Sequence, residues 1–147
     1  MRQVVAVLGV LLGLAAAHAE TSLDRLSITT ASGAHKFKVE VMHGTAALER
    51  GLMFRRFMPK DHGMLFDFGT TAPVMMWMKN TYIPLDMVFI DKSGHVINVA
   101  ANTQPMDLKI IPSAKPAYAA LEINAGIAAD IGLKPGDVVH DALFHNQ

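Results

Sequence analysis

The spacing of polar and apolar positions changes several times along the chain, and each change marks an element. Leu26, Ile28 and Thr30 alternate with polar neighbours, and Phe37, Val39 and Val41 alternate with Lys36, Lys38 and Glu40. Ala31-Ser32-Gly33-Ala34 lies between the two runs. A period of two on both sides of a short glycine-bearing turn predicts a β-hairpin with one buried face. Behind Gly44-Thr45, Leu48 and Leu52 stand at i,i+4, which predicts a short helix with Thr45 as its N-cap. Residues 64–68, 74–78 and 85–90 are short apolar runs parted by turn sequences and read as strands. Asp91-Lys92-Ser93-Gly94 predicts a turn that folds residues 95–101 back on the last of these.

Residues 102–116 are polar and hold three of the seven prolines, the pattern of a long surface loop. A strand over 117–123 follows, then a helix over 125–131 capped by Asn124 and ended by Gly132, and a last strand over 138–144. Seven or eight short strands with two short helices predict an α+β domain. Close succession of strands favours antiparallel pairing, and sparse helical cover favours a barrel-like sheet.

The first residues stand apart from this pattern. Met1-Arg2-Gln3 gives a positive start, residues 4–17 are almost unbroken apolar sequence, and Ala17-His18-Ala19 is a small-residue cleavage signal. Residues 1–19 therefore read as a secretory signal peptide, and residues 20–147 as one globular domain. The apolar run falls short of the roughly 20 residues that span a bilayer. The expected mature protein is exported, periplasmic if the host is Gram-negative, and free of the membrane once the signal is cleaved.

Composition narrows the chemistry. The formal net charge is zero, which lacks the electrostatic footprint of a nucleic-acid binder. Cysteine is absent, which excludes disulfides, thiolate zinc sites and cysteine nucleophiles. The histidines show neither H-x-H nor H-E-x-x-H spacing, and there is no G-x-S-x-G elbow or phosphate-binding glycine loop. Methionine is in excess, with ten in the chain.

Four segments carry a family resemblance: RGLMFR (residues 50–55), GMLFDF (63–68), MWMKNTYIPLDMVFI (76–90) and LEINAGIAADIGLKPGD (121–137). In this order and spacing they resemble the domain-of-unknown-function family 192, small bacterial and archaeal proteins that often carry an export signal. The match extends over nearly all of the mature chain without a departure from the family pattern. It implies a compact, mostly β domain and supplies no catalytic residues.

Two features of the MWMKNT-x-IPLD block suggest a site. Asp86 interrupts an apolar run, and a buried carboxylate must be paired, neutralised or hydrogen-bonded. Lys79, Arg50 and Arg55 are candidate partners, and backbone N–H groups are the structural alternative. If Asp86 and Lys79 share a cavity with Trp77, Met78, Asn80 and Arg55, the mixture of apolar walls and a few polar groups suits a small ligand. Met76 and Met78, about 7 Å apart on one face of a strand, are also a candidate Cu(I) pair with Trp77 nearby. Glu122 is expected to face solvent or to pair with an Arg or Lys, with lining a site as the alternative. Three readings follow: a non-catalytic exported domain that binds an unknown small ligand or protein partner, a periplasmic Cu(I)-binding protein, and a hydrolase using carboxylates such as Asp86. The first needs no cofactor and leads, because catalytic motifs are missing.

Overall fold

The β1–β2 hairpin forms where the period-two pattern puts it: β1 (Asp24–Thr30) and β2 (Gly33–Met42) pair antiparallel from Thr30↔Gly33 to Asp24↔Val39. The computed structural model describes residues 22–146, so the expected signal peptide at residues 1–19 lies outside the described residues. After the hairpin come α1 (Thr45–Arg50), β3 (His62–Ala72), β4 (Met75–Met76), β5 (Leu85–Ile90) and β6 (Val96–Thr103). The chain then passes through β7 (Ile111–Pro112), β8 (Ala117–Asn124), α2 (Ile127–Asp130) and β9 (Val138–His140), and ends in a single 3-10 turn.

Seven strands form one sheet in the order β6-β5-β8-β3-β2-β1-β9. The sheet curls until its two edges meet: His95, just before β6, bridges Val138 in β9. Main-chain bonds from Val96 N to Asp137 O (2.9 Å) and from Gly136 N to Val96 O (2.8 Å) reinforce that seam. The architecture is α+β, mostly strand, with a barrel-like sheet. Its strand directions are mixed, which qualifies the expectation of a mainly antiparallel sheet. β2 and β3 run parallel, because α1 and the loop after it carry the chain back across the sheet before β3 begins.

Every strand of this sheet turns apolar side chains into the curl. Ile28, Val39, Leu65, Val88, Leu121 and Val139 are fully buried there. The outer face of β3, β8 and β5 is buried as well. Met64, Phe66, Met87 and Phe89 pack beneath Leu52, Met58, Met78 and Ile83 from the irregular segments. This explains the apolar run of β5, interrupted only at Asp86 and buried at every position. Odd positions from Leu85 face the outer cover, while Val88 and Ile90 face the curl.

Several local expectations change. The segment expected as a strand over 74–78 pairs only at Met75–Met76, with β7 and apart from the main sheet. Gly44, not Thr45, is the N-cap of α1, and no side chain caps that helix. The second helix is confined to Ile127–Asp130 behind Gly126. The Asn124 amide instead donates to the carbonyls of Met58 (3.0 Å) and Pro59 (3.1 Å), tying the end of β8 to the outer cover. Among the described residues, no helix is long and apolar enough to cross a membrane.

Asp86 is an anchor of this frame. Its side chain is fully buried, with Oδ1 accepting from Asn102 N and Oδ2 from Ala128 N, both at 2.8 Å. The carboxylate thereby holds the end of β6 and the start of α2 against β5. Asp86→Ala would strand two amide donors and is expected to destabilise the fold by about 2–5 kcal/mol, measured by urea unfolding. A loss within experimental error of zero would show that water or a rearranged loop replaces the carboxylate.

Candidate functional site

The outer cover does not close completely. Between α1 with Gly51–Met53 on one side and Val74–Trp77 on the other lies a cleft of about 380 Å³. Leu48, Met53, Val74, Met76 and Trp77 wall it, and Phe66 and Phe68 of β3 form part of its floor. Thr45, Glu49, Arg50 and Thr81 bring polar groups to it. Gly51 shapes that floor. It has a left-handed φ of 45°, and a Cβ there would stand 3.0 Å from the Phe66 ring. Only glycine accepts both the conformation and the approach.

The remaining floor residue is Glu122. Alternation along β8 turns Leu121 and Ile123 into the curl and Ala120 and Glu122 outward. In the ladder Glu122 lies between Met64 of β3 and Met87 of β5, both buried. Glu122 is only 4% exposed, yet it lines the cleft. It makes no hydrogen bond or ion pair with another described residue. Burial without a compensating charge raises its pKa from 4.5 to about 8. The cleft therefore holds a carboxyl group that is mostly protonated at neutral pH, able to donate one hydrogen bond and accept others.

The residues expected to form a site are dispersed. Trp77 lines the cleft and is 43% exposed, with the Lys79 ammonium 4.9 Å from its ring centroid. Met78 belongs to the core, where its sulfur accepts the Thr103 hydroxyl at 3.2 Å. Asn80 is a turn residue at φ 54°, a conformation asparagine tolerates well. Its carbonyl accepts Phe54 N at 2.8 Å and its amide reaches the Met53 sulfur at 3.9 Å. Arg55 is engaged by Glu40 through a paired contact, one arm of which is 2.6 Å. Asp86 lies on the opposite side of the sheet from Glu122. It neighbours Ile123 in the ladder, whereas Glu122 neighbours Met87. Asp86 and Lys79 thus do not share the cleft, and Asp86 takes the backbone-bonded alternative.

The extended strand that would set Met76 and Met78 side by side ends at Met76. Met76 lines the cleft together with Met53 and Met75, whereas Met78 does not. Among the described residues, no group of three or more His, Asp or Glu side chains is placed to hold a metal ion.

Glu122 was open to detection by the signal that singled out Asp86: one carboxylate among apolar residues, here Ala119-Ala120-Leu121-Glu122-Ile123. Period-two reasoning sent it to solvent because a sheet buried on both faces was not anticipated.

The family match follows from the same frame. Residues 27–140 match DUF192, "Uncharacterized ACR", and the chain belongs to this family. No curated protein compared with the chain matches it. Two crystal structures are similar. One is a protein from Sinorhizobium meliloti 1021 described as a "putative transcription regulator". It has 47% sequence identity and a TM-score of 0.81, and the match covers 84% of this chain and 96% of that one. The other is a protein of unknown function from Novosphingobium aromaticivorans DSM 12444. It has 41% identity and a TM-score of 0.78, and the match covers 80% and 84% of the two chains.

The raised pKa of Glu122 has a consequence for stability. Between its unfolded value near 4.5 and its folded value of about 8, the native state keeps a proton that the unfolded chain has lost. Stability must therefore fall as pH rises through that window, by a total of a few kcal/mol at roughly 1.4 kcal/mol per unit. Glu122→Gln is expected to flatten this slope. Urea midpoints at pH 5 and pH 8.5 check it, and equal slopes in both proteins would show that the carboxyl is solvated.

A second expectation concerns Trp77. As a half-exposed wall residue, its replacement by alanine should cost about 1 kcal/mol in chemical denaturation, against the 3–5 kcal/mol typical of a core aromatic.

Proposed function

We propose that this protein is an exported, non-catalytic binding domain. Its cleft takes a small ligand with an apolar body and a hydrogen-bond acceptor that meets the protonated carboxyl of Glu122. One observation carries the reading: a buried carboxyl without a protein partner at the floor of a largely apolar cleft. Burying a polar group without a hydrogen bond is costly, so a ligand that supplies the bond gains more than its apolar contacts alone. Apolar walls with one well-placed polar group are the usual form of a small-molecule site. The cleft replaces the Lys79–Asp86 pocket expected from the sequence and keeps Trp77 as part of its wall.

The "regulator" description belongs to the Sinorhizobium protein. For this chain, zero net charge and an apolar cleft favour a small ligand over nucleic acid. The hydrolase reading loses its named carboxylate, since Asp86 holds two backbone amides and faces the curl.

Copper remains as a second reading on one observation. Met53, Met75 and Met76 line the same cleft, and thioethers select Cu(I). It predicts stoichiometric quenching of Trp77 by Cu(I) under anaerobic conditions against a competing chelator, lost in Met53→Leu/Met76→Leu.

The leading reading is tested with neutral probes, 2-nonanone and 1-octanol, titrated against the emission of Trp77, the only tryptophan. Saturable binding at pH 6 is expected, weakening at least fivefold at pH 9.5 as Glu122 ionises and at least fivefold in Glu122→Leu at pH 6. Equal affinity in the variant would remove Glu122 from the site.

A further inference from the structure

Three loops meet beside the cleft, and main-chain bonds join them. Phe54 N donates to Asn80 O (2.8 Å), Met78 N to Asp107 O (3.0 Å) and Met106 N to Thr81 O (3.1 Å), while Met76 pairs with Ile111. Nine large hydrophobic side chains are exposed among the described residues, and all but Leu23 stand on these loops. The first loop offers Phe54 and Phe57, the latter 77% exposed. The second offers Met75, Trp77 and Tyr82, and Phe54 packs edge-on against Tyr82 with ring centroids 6.3 Å apart. The third offers Met106, Leu108 and Ile110 within Gln104–Ile110, a stretch exposed at every position. Such a concentration of exposed apolar groups marks an interaction surface.

Its charge departs from that of the chain. The formal net charge of the whole sequence is zero, but the loops carry Arg55, Arg56, Lys60, Lys79, Lys109 and Lys115 against Asp61 and Asp107. Arg55 is paired with Glu40, and the Asp107 carboxylate accepts Lys109 N at 2.9 Å. Arg56 stands over the Tyr82 ring at 5.4 Å and Lys79 over Trp77 at 4.9 Å. Cations therefore sit among the apolar tips.

We infer that these loops dock the protein on the surface of an anionic lipid bilayer, with the aromatic and aliphatic tips at the headgroup level and Arg56, Lys79 and Lys109 against lipid phosphates. The inference goes beyond the cleft reading and departs from the expectation that the exported chain stays clear of membranes. Charge complementarity selects the occupant. Lysine is depleted from the centres of protein–protein interfaces, whereas tryptophan, tyrosine and basic residues together suit the membrane–water interface. Anionic lipid attracts such a basic surface over about one Debye length, so attachment must weaken with salt. The cleft wall at Met75 and Trp77 is shared with this surface, which places a route for apolar ligands beside the lipid.

The test uses the mature chain, residues 20–147, with vesicles of phosphatidylcholine and phosphatidylglycerol (7:3) and of phosphatidylcholine alone. Cosedimentation and a blue shift of Trp77 emission are expected with the anionic vesicles. Apparent affinity should fall at least tenfold on neutral vesicles or in 0.5 M NaCl, and at least tenfold in Phe57→Ser/Leu108→Ser. Neither substituted residue lines the cleft, so that variant should keep its affinity for 2-nonanone. Loss of ketone binding with vesicle binding intact would count against the cleft alone. No binding to anionic vesicles, or undiminished binding by the variant, overturns docking on lipid. So does concentration-dependent dimerisation abolished by the same substitutions without any vesicle binding, which would make a second copy the occupant.

Discussion

Burial of β3, β8 and β5 on both faces is the constraint on which the rest depends. The curl protects one face by closing on itself through the His95–Val138 bridge. The other face carries Met64, Phe66, Met87 and Phe89 and needs a separate cover. Two helices of four and six residues are too small to supply it. Irregular chain does so instead, and its own backbone polar groups must then be satisfied between loops rather than within elements. The bonds from Phe54 to Asn80, Met78 to Asp107 and Ser113 to Val74 are that solution. A cover made of loops closes less tightly than a helical layer. The cleft lies where α1 and the Val74–Trp77 segment fail to meet, and the apolar tips on the outer loops have no further layer to bury them.

Two of the three buried carboxylates among the described residues, Asp86 and Glu122, show what alternation decides. Asp86 and Glu122 lie on adjacent strands, one residue apart in register. Asp86 points toward the end of β6 and the start of α2, where two backbone amides donate hydrogen bonds to its carboxylate. Glu122 points toward Met64, Met87 and the cleft, where burial is uncompensated and its pKa rises to about 8. The same residue class at almost the same depth is a structural pin in one case and an unpartnered acid in the other. Burial alone does not distinguish them; the hydrogen-bond partners do.

Much of the frame was legible in the sequence. The β1–β2 hairpin and the β5–β6 return followed from period-two runs around turn residues, and the resemblance of four segments to the family is borne out by the match over residues 27–140. The parallel β2–β3 pairing was not legible, since local patterns do not say where a strand lands after a loop of this length. The strand expected over 74–78 was misread because Val74 to Met78 is a short apolar run bounded by turn sequence, as a buried strand would be. Met78 is buried, but as a side chain of the cover, hydrogen-bonded by Thr103 and not part of a ladder. Of the expected site residues, Trp77 lines the cleft, while Lys79, Asn80 and Arg55 hold loops and surface in place.

The methionine–tryptophan run contributes Met75, Met76 and Trp77 to the cleft, while Met78 is buried in the core. Around Met76 and Trp77 the chemistry is mainly apolar, and it gains direction only from the acid beneath it. An Ala, Gln or Met at position 122 would spare β8 an unpartnered carboxyl between two methionines. Asp86 and Thr103 satisfy their buried polar groups, whereas Asp141 Oδ2 lacks a partner away from the cleft and Glu122 lacks one at its floor. Departures from local consistency of this kind belong at functional sites more readily than in frames. The physical case for a bound ligand therefore rests on the mismatch between Glu122 and its surroundings, and the methionines and tryptophan define the shape that such a ligand must fill.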